Sequence, residues 1–209
     1  MFAQTQDRTL AQTQDRVLAQ VQAQETTLSD IFYKEIKQQS GKIKTIECSF
    51  SQTKQLPYLK APAQTIGKFY CQNNNIAIEY DKPKGDCVIM TEQQCKTIVN
   101  GKTNIININS HPALKQLHSI ILYSISGDIE SMKKMFDIQI SLSEKEYHLT
   151  LIPKQKSIRE KAGTITLWFD KKDFSLSFLK TEKSSDDYVL YKFFDKKFNT
   201  SINEEHFNL

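Results

Sequence analysis

No apolar run in this 209-residue sequence approaches the roughly 18 residues of a membrane-spanning helix, so none is predicted. The N-terminal residues also lack the apolar segment of a signal peptide. Neither GxSxG, HExxH, a P-loop nor GxGxxG after a strand occurs. The histidines are far apart and share no motif, and we expect His118 at the surface or boundary of a helix. The sequence therefore predicts no catalytic site and no enzyme.

Missing too are CxxC pairs and any histidine at ligand spacing from a cysteine, which argues against zinc; no metal and no cofactor is expected. The net charge of +4 is spread over scattered lysine pairs at 133–134, 171–172 and 196–197, each beside acidic residues. Proteins that bind nucleic acid concentrate basic side chains on one element. This pattern therefore argues against a nucleic-acid partner.

What the sequence does contain is enough apolar side chains for one core, since hydrophobic residues make up 39% of it, with 12 Phe and 8 Tyr against 6 Gly. Aromatic and β-branched enrichment favours sheet, and the length suits a single domain. Residues 1–26 differ, because AQTQDRTL at 3–10 is followed by AQTQDRVL at 11–18. We interpret this Gln-rich repeat as a disordered or weakly helical leader, with a coiled-coil arm as the alternative, and place one domain at 27–209.

Apolar periodicity divides this domain. Residues 28–36 carry apolar side chains at helical spacing, and from residue 44 an alternation with period two predicts a series of antiparallel strands. Asn73-Asn74-Asn75 and Asn100-Gly101 are turn signals. Residues 112–135 interrupt the strands with two predicted helices, after which the strand pattern resumes.

Ordered motifs in this chain resemble those of the LolA family of periplasmic outer-membrane lipoprotein carriers, most like the divergent members found in Bacteroidetes. They are similar to the family's F-x-Q-x-K, G-x-[FL]-[WY], [WY]-x-x-P and L-x-P-K strands and to its closing segment. The matching stretches are Cys48–Lys54, Gly67–Tyr70, Ile78–Pro83, Leu149–Lys154 and Phe194–Phe207. The resemblance extends over about residues 28–209. One motif is missing: the family's lid-holding Arg-Pro before the third strand is replaced by Gln72–Asn75.

The resemblance implies a mainly β (α+β) fold, an incomplete and strongly bent antiparallel β-barrel of about eleven strands with a helical lid. It also implies a monomeric periplasmic carrier that shelters lipoprotein acyl chains, receives them from an inner-membrane exporter and delivers them to an outer-membrane acceptor. Burial of each acyl CH₂ group is worth about 0.8 kcal/mol, so a long chain needs cover while it crosses water.

Strand parity and the resemblance together predict a hydrophobic cavity and a lid. The expected cavity residues are Phe50, Phe69, Ile78, Tyr80, Leu151, Leu167, Phe169 and Phe178. The expected lid residues are Leu114, Leu117, Ile121 and Ile125. Without the family arginine, the means by which the lid is held closed is left open.

The cysteines offer one further hypothesis. If Phe50 lies opposite Phe69 on adjacent antiparallel strands, Cys48 lies opposite Cys71. Directly opposed residues that are not hydrogen-bonded can be close enough to form a disulfide. The parity thus allows a Cys48–Cys71 bridge without requiring one.

Two alternatives to the lipoprotein carrier stay open. The same fold could carry another apolar cargo, such as a glycolipid or a lipid-linked precursor. The chain could instead be a sensor or structural β-domain with a filled core that contacts proteins through a sheet edge or the Gln-rich leader. A contiguous dry pocket of about a few hundred Å³ would favour a carrier, and a core filled by Phe and Tyr would count against one.

Overall fold

The structure is a computed structural model that describes residues 16, 28–156, 159–160 and 163–209. Nearly all of the predicted leader, and its boundary with the domain at residue 27, therefore lie outside the described residues. The strands are β1 (Thr45–Gln55), β2 (Ala63–Gln72), β3 (Asn75–Tyr80), β4 (Cys87–Met90), β5 (Gln94–Val99), β6 (Lys102–Asn107), β7 (Phe136–Leu142), β8 (Glu146–Pro153), β9 (Thr164–Asp170), β10 (Leu176–Ser184) and β11 (Asp187–Phe198). The helices are α1 (residues 28–40), α2 (Pro112–Ser126) and α3 (Ile129–Met135).

All eleven strands form one antiparallel sheet in the order β6-β5-β4-β3-β2-β1-β11-β10-β9-β8-β7. The two longest strands, β1 and β11, pair at its centre, while β6 and β7 are its edges. Because the edges do not pair with each other, the sheet is open and not a closed barrel. The predicted incomplete antiparallel barrel with helices is confirmed.

The predicted turns form where the chain needs a left-handed backbone. Asn73 and Asn74 have φ values of 50° and 64°, and Asn100 and Gly101 have φ values of 51° and 73°. Asparagine and glycine tolerate this region, which hairpin turns of type I′ require at both central positions. These two hairpins align β2 with β3 and β5 with β6.

Helices α1 and α2 cover one face of the sheet, which we call the inner face. Phe32 and Ile36 of α1 are fully buried there, and the Phe32 ring centroid lies 4.9 Å from that of Tyr147 and 5.5 Å from that of Phe169. Helix α2 ends at Gly127 in the left-handed region (φ 70°), where a Cβ would lie 2.7 Å from the Ile36 carbonyl oxygen. The two helices therefore meet at a contact that only glycine allows.

Two β-bulges change which side chains face inward. Between Glu47 and Ser49 of β1, strand β11 carries one extra residue, and Asp195 at this point has a φ of 53°. A second shift separates Leu176 and Phe178 of β10 in their pairing with β9. Each inserted residue moves the side chains beyond it to the opposite face.

The opposite, outer face of β3 and β4 is covered by the C-terminal segment. A short 3₁₀ helix, Glu204–Phe207, packs against these strands. The His206 ring stacks on Tyr70 at 4.0 Å, and its Nδ1 lies 2.6 Å from a Glu79 carboxylate oxygen. Ala77, which points outward, is consequently buried.

Candidate lipid-binding site

Most of the predicted cavity residues share the inner face of the sheet. Six are buried in one apolar cluster with α1 and α2, and Tyr80 is half-buried and packs against it. The six buried residues are Phe50, Phe69, Ile78, Leu151, Leu167 and Phe169. The alternation of strand side chains therefore brings residues from five different strands to one face, while their role as a lipid-binding cavity stays a prediction.

Phe178 is the exception, and its placement on the inner face was wrong. The bulge before it places Phe178 opposite Trp168 on the outer face, with the two ring centroids 6.0 Å apart in an edge-to-face contact. Leu179 points inward instead and is 1% exposed. The simple alternation from Leu176 fails because one extra residue, Ser177, interrupts the pairing.

The predicted lid residues all contact the core. Ile121 is buried, and Leu114, Leu117 and Ile125 are half-buried and pack against the same cluster. The prediction omitted Ile120, whose side chain is fully buried. Helix α2 thus covers the inner face with an apolar stripe that is wider than the four predicted residues.

His118 is buried, so its predicted position at the helix surface or boundary was wrong. Its Nε2 donates a hydrogen bond to the Asn74 carbonyl oxygen at 2.9 Å, and burial lowers the pKa of the imidazole. A sequence signal was available, because His118 lies four residues after Leu114 and three before Ile121, on the lid stripe. Asn74 lies in the turn that replaces the Arg-Pro motif of the family. At this point the hydrogen bond from His118, in place of an arginine, connects α2 to the sheet.

The space under α2 is divided into two parts. Between the C-terminal ends of α1 and α2 and the sheet lies a narrow cavity of about 20 Å³, bordered by Ile121 and Ile125. At the other end of α2, an open cleft of about 310 Å³ lies between Leu114, Leu117 and the inner residues Ile165 and Val189. The structure therefore holds α2 closely against the sheet, and its interior is mainly filled with side chains.

Polar side chains stand at two places on the inner face. Tyr191 and Tyr80 are hydrogen-bonded to each other, and the Gln52 amide donates a short hydrogen bond to the Tyr191 hydroxyl. Burial raises the pKa of both tyrosines. At the narrow cavity, the polar groups are Lys196 and the hydroxyl groups of Ser40, Ser124 and Ser175, none of which the sequence prediction placed at the site.

The Cys48–Cys71 disulfide rests on a register that the structure corrects. Phe50 lies opposite Gly67, which places Phe69 opposite Cys48, and Ile46 opposite Cys71. Both thiols are free and buried, and burial raises the pKa of each to about 12. The two cysteines are diagonal neighbours on adjacent strands and do not form the predicted directly opposed pair.

The described ranges hold no group of three or more His, Cys, Asp or Glu side chains that could ligate a metal ion. Within the same ranges, no helix is long and apolar enough to cross a membrane. The inner face itself consists mainly of aliphatic and aromatic side chains, with a lysine and a few hydroxyl groups at its margins.

An open antiparallel sheet with a helix-covered apolar inner face is typical of carrier-like proteins that bind lipid or lipoprotein. The family model described as "Outer membrane lipoprotein carrier protein LolA" matches residues 41–209. The chain belongs to the LolA family. Among curated protein sequences, no significant match is found.

Several solved structures are similar in fold at low identity. The complex of MucA and MucB from Pseudomonas aeruginosa matches with a TM-score of 0.51 and 6% identity, covering 85% of this chain and 59% of that chain. The LolA superfamily protein NE2245 from Nitrosomonas europaea gives 0.43 and 12%, covering 84% and 97%. The lipoprotein LppX from Mycobacterium tuberculosis gives 0.41 and 11%, covering 83% and 98%.

Proposed function

We propose that this protein is a periplasmic carrier that shelters the acyl chains of lipoproteins and delivers them from the inner to the outer membrane. The observation that carries the proposal is the apolar inner face, which residues from most of the strands form and helices α1 and α2 cover, in a chain of the LolA family. Its donor would be an inner-membrane exporter and its acceptor an outer-membrane receptor.

In this proposal the structure is the closed form of the carrier. A cavity of about 20 Å³ has room for about one water molecule and none for an acyl chain. Cargo entry therefore requires α2 to move away from the sheet, which exposes Ile121 and Ile125 to the chain. Acyl CH₂ groups then replace the helix contacts, so much of the apolar burial lost on opening is recovered on binding.

The open cleft marks the end of α2 where this movement would begin. It already exposes Leu114 and Leu117 beside Ile165 and Val189, and most of its lining is apolar. An acyl chain that entered here would run along α2 toward Ile125, a distance of about 16 Å for the eleven helical residues from Leu114.

Mass spectrometry of the protein purified from its native host tests the cargo directly. Co-purifying acylated protein supports the lipoprotein carrier, whereas a glycolipid or lipid-linked precursor would assign the same fold another apolar cargo. Leu117→Asp and Ile121→Asp should abolish retention, because a carboxylate in the apolar seam is strongly disfavoured. Lys115→Asp, at an exposed position of the same helix that lines neither the cleft nor the narrow cavity, is the matched control and should retain cargo.

A second candidate function is favoured by the filled interior: a β-domain that binds other proteins through its open edges. Ile105 on β6 and Leu142 on β7 are 49% and 52% exposed at those edges. Absence of any lipid or acylated protein in the purified material, together with retention of a protein partner that Ile105→Lys releases, would favour this function over the carrier.

A further inference from the structure

The bulge in β11 turns one lysine toward the covered side of the sheet. Phe198 lies opposite Ile46 and Phe194 lies opposite Ser49, so the extra residue brings Lys196 to the inner side beside Cys48. Lys196 borders the narrow cavity, whose lining is otherwise uncharged. Partial burial of the Lys196 ammonium costs free energy unless a charged or hydrogen-bonding partner compensates for the lost water.

The pairing of Lys196 is incomplete. Its Nζ donates hydrogen bonds to the Ser175 hydroxyl at 2.6 Å and the Ser177 hydroxyl at 3.4 Å. Among the described residues it forms no ion pair within 4.0 Å. Asp173, the carboxylate that interacts most strongly with its charge, accepts a hydrogen bond from the Ser175 hydroxyl at 2.6 Å. Burial lowers the pKa of Lys196, which Asp173 and Asp170 only partly offset.

A second polar group at the same cavity has no partner at all. The Ser40 hydroxyl, at the end of α1, is 1% exposed and lines the cavity, yet within the described structure it makes no hydrogen bond. Ser124 also borders the cavity, but its hydroxyl donates to the Ile120 carbonyl oxygen at 2.7 Å. A buried hydroxyl without a partner is costly, and a ligand oxygen would satisfy it.

We propose that Lys196, Ser40 and Ser175 form a site for the anionic head group of an acyl-chain amphiphile. The ammonium and the Ser40 hydroxyl supply the donors that a carboxylate or phosphate needs. The Ser175 hydroxyl donates its proton to Asp173 and accepts from the ammonium, so it positions Lys196. Ile121, Ile125 and Phe69 continue from this site as apolar lining. The site rests on the proposed carrier function. It extends the proposed cargo to molecules whose acyl chain ends in a negatively charged group.

Binding of palmitate and of its uncharged methyl ester tests the site. Both are titrated against the full chain by displacement of the neutral fluorescent probe N-phenylnaphthylamine. Lys196→Met should weaken palmitate binding about tenfold and leave the ester unchanged, because a hydrogen bond to a charged group is lost only with the acid. Lys196→Arg should preserve palmitate binding, and Ser40→Ala should weaken it about threefold.

The neighbouring Lys197 is the matched control. Its Nζ lies 3.2 Å from a Glu47 carboxylate oxygen on the outer face, so Lys197→Met should change neither affinity. If Lys196→Met alters acid and ester equally, or alters neither, the head-group site is refuted while the carrier function stands. If the unaltered protein binds neither ligand, both the site and the proposed carrier function are refuted.

Discussion

The inner and outer faces of strands β8 to β10 both carry large apolar side chains, but within the described part of the chain only the inner face packs against helices. On the inner side, Leu149, Leu167 and Phe169 are fully buried beneath α1 and α2. On the outer side, Trp168 contacts His148 at 5.8 Å and Phe178 at 6.0 Å between ring centroids, and α1, α2 and α3 as described all lie away from these rings. An apolar strand residue therefore identifies a binding face only when the elements that pack against it are known.

The largest expected effect that separates the two faces comes from two neighbouring residues of β9. Phe169→Ala should lower the free energy of unfolding by about 3–5 kcal/mol, because it removes a buried ring that packs against Phe32. Trp168→Ala, on the outer face, should cost about 1 kcal/mol. Urea unfolding monitored by circular dichroism measures both. Equal losses would contradict the assignment of faces.

Helix α2 provides a prediction of intermediate size. His118→Leu should lower the free energy of unfolding by about 1–2 kcal/mol, because it leaves the Asn74 carbonyl oxygen without its donor. Amide hydrogen exchange along α2 should also become faster. His111→Leu, at an exposed position, is the control and should leave exchange in the middle of α2 unchanged.

The same histidine predicts a pH dependence. Burial lowers the pKa of His118 below 6.5 in the folded protein, so the unfolded chain takes up the proton first as the pH falls. Its contribution to stability is complete above pH 6.5 and is lost as the pH falls from 6.5 through the lowered value. His118→Leu should remove this part of the pH dependence, and a pH profile of the variant identical to the original would contradict the assignment.

The smallest expected effect concerns Phe178. Phe178→Ala should cost about 1 kcal/mol or less and leave acyl-chain binding unchanged, because the ring lies on the outer face. Leu179→Ala, at the next position and on the inner face, should cost about 2–5 kcal/mol. A loss of acyl-chain binding in Phe178→Ala would contradict the outer-face position and support the original prediction that Phe178 lines the cavity.

Local signals allowed much of the fold to be predicted. The asparagine turns and the helices at 112–135 follow from backbone preferences and from periodicity within a few residues. The register of β1 against β2 could not be predicted in this way, since the loop between Gln55 and Ala63 does not define which residues face each other. The disulfide hypothesis failed at that point.

The candidate site was less predictable for a related reason. Whether Phe178 or Leu179 faces inward depends on one inserted residue in β10, and the inward position of Lys196 depends on another in β11. Neither bulge has a distinctive sequence pattern here. The burial of His118 could have been predicted, because its spacing from Leu114 and Ile121 places it on the apolar stripe of α2. It was instead expected at the surface or boundary because its side chain is polar.

The open edges of the sheet have a mechanical consequence. Strand β6 and strand β7 lie at opposite margins, and the chain passes from one to the other only through α2 and α3. The helix pair therefore connects the two margins of the sheet covalently. We expect a change in sheet curvature that separates β6 from β7 to displace α2 and α3, and an outward movement of α2 to change the curvature. Lid position and sheet curvature would then change together while every strand pairing is kept.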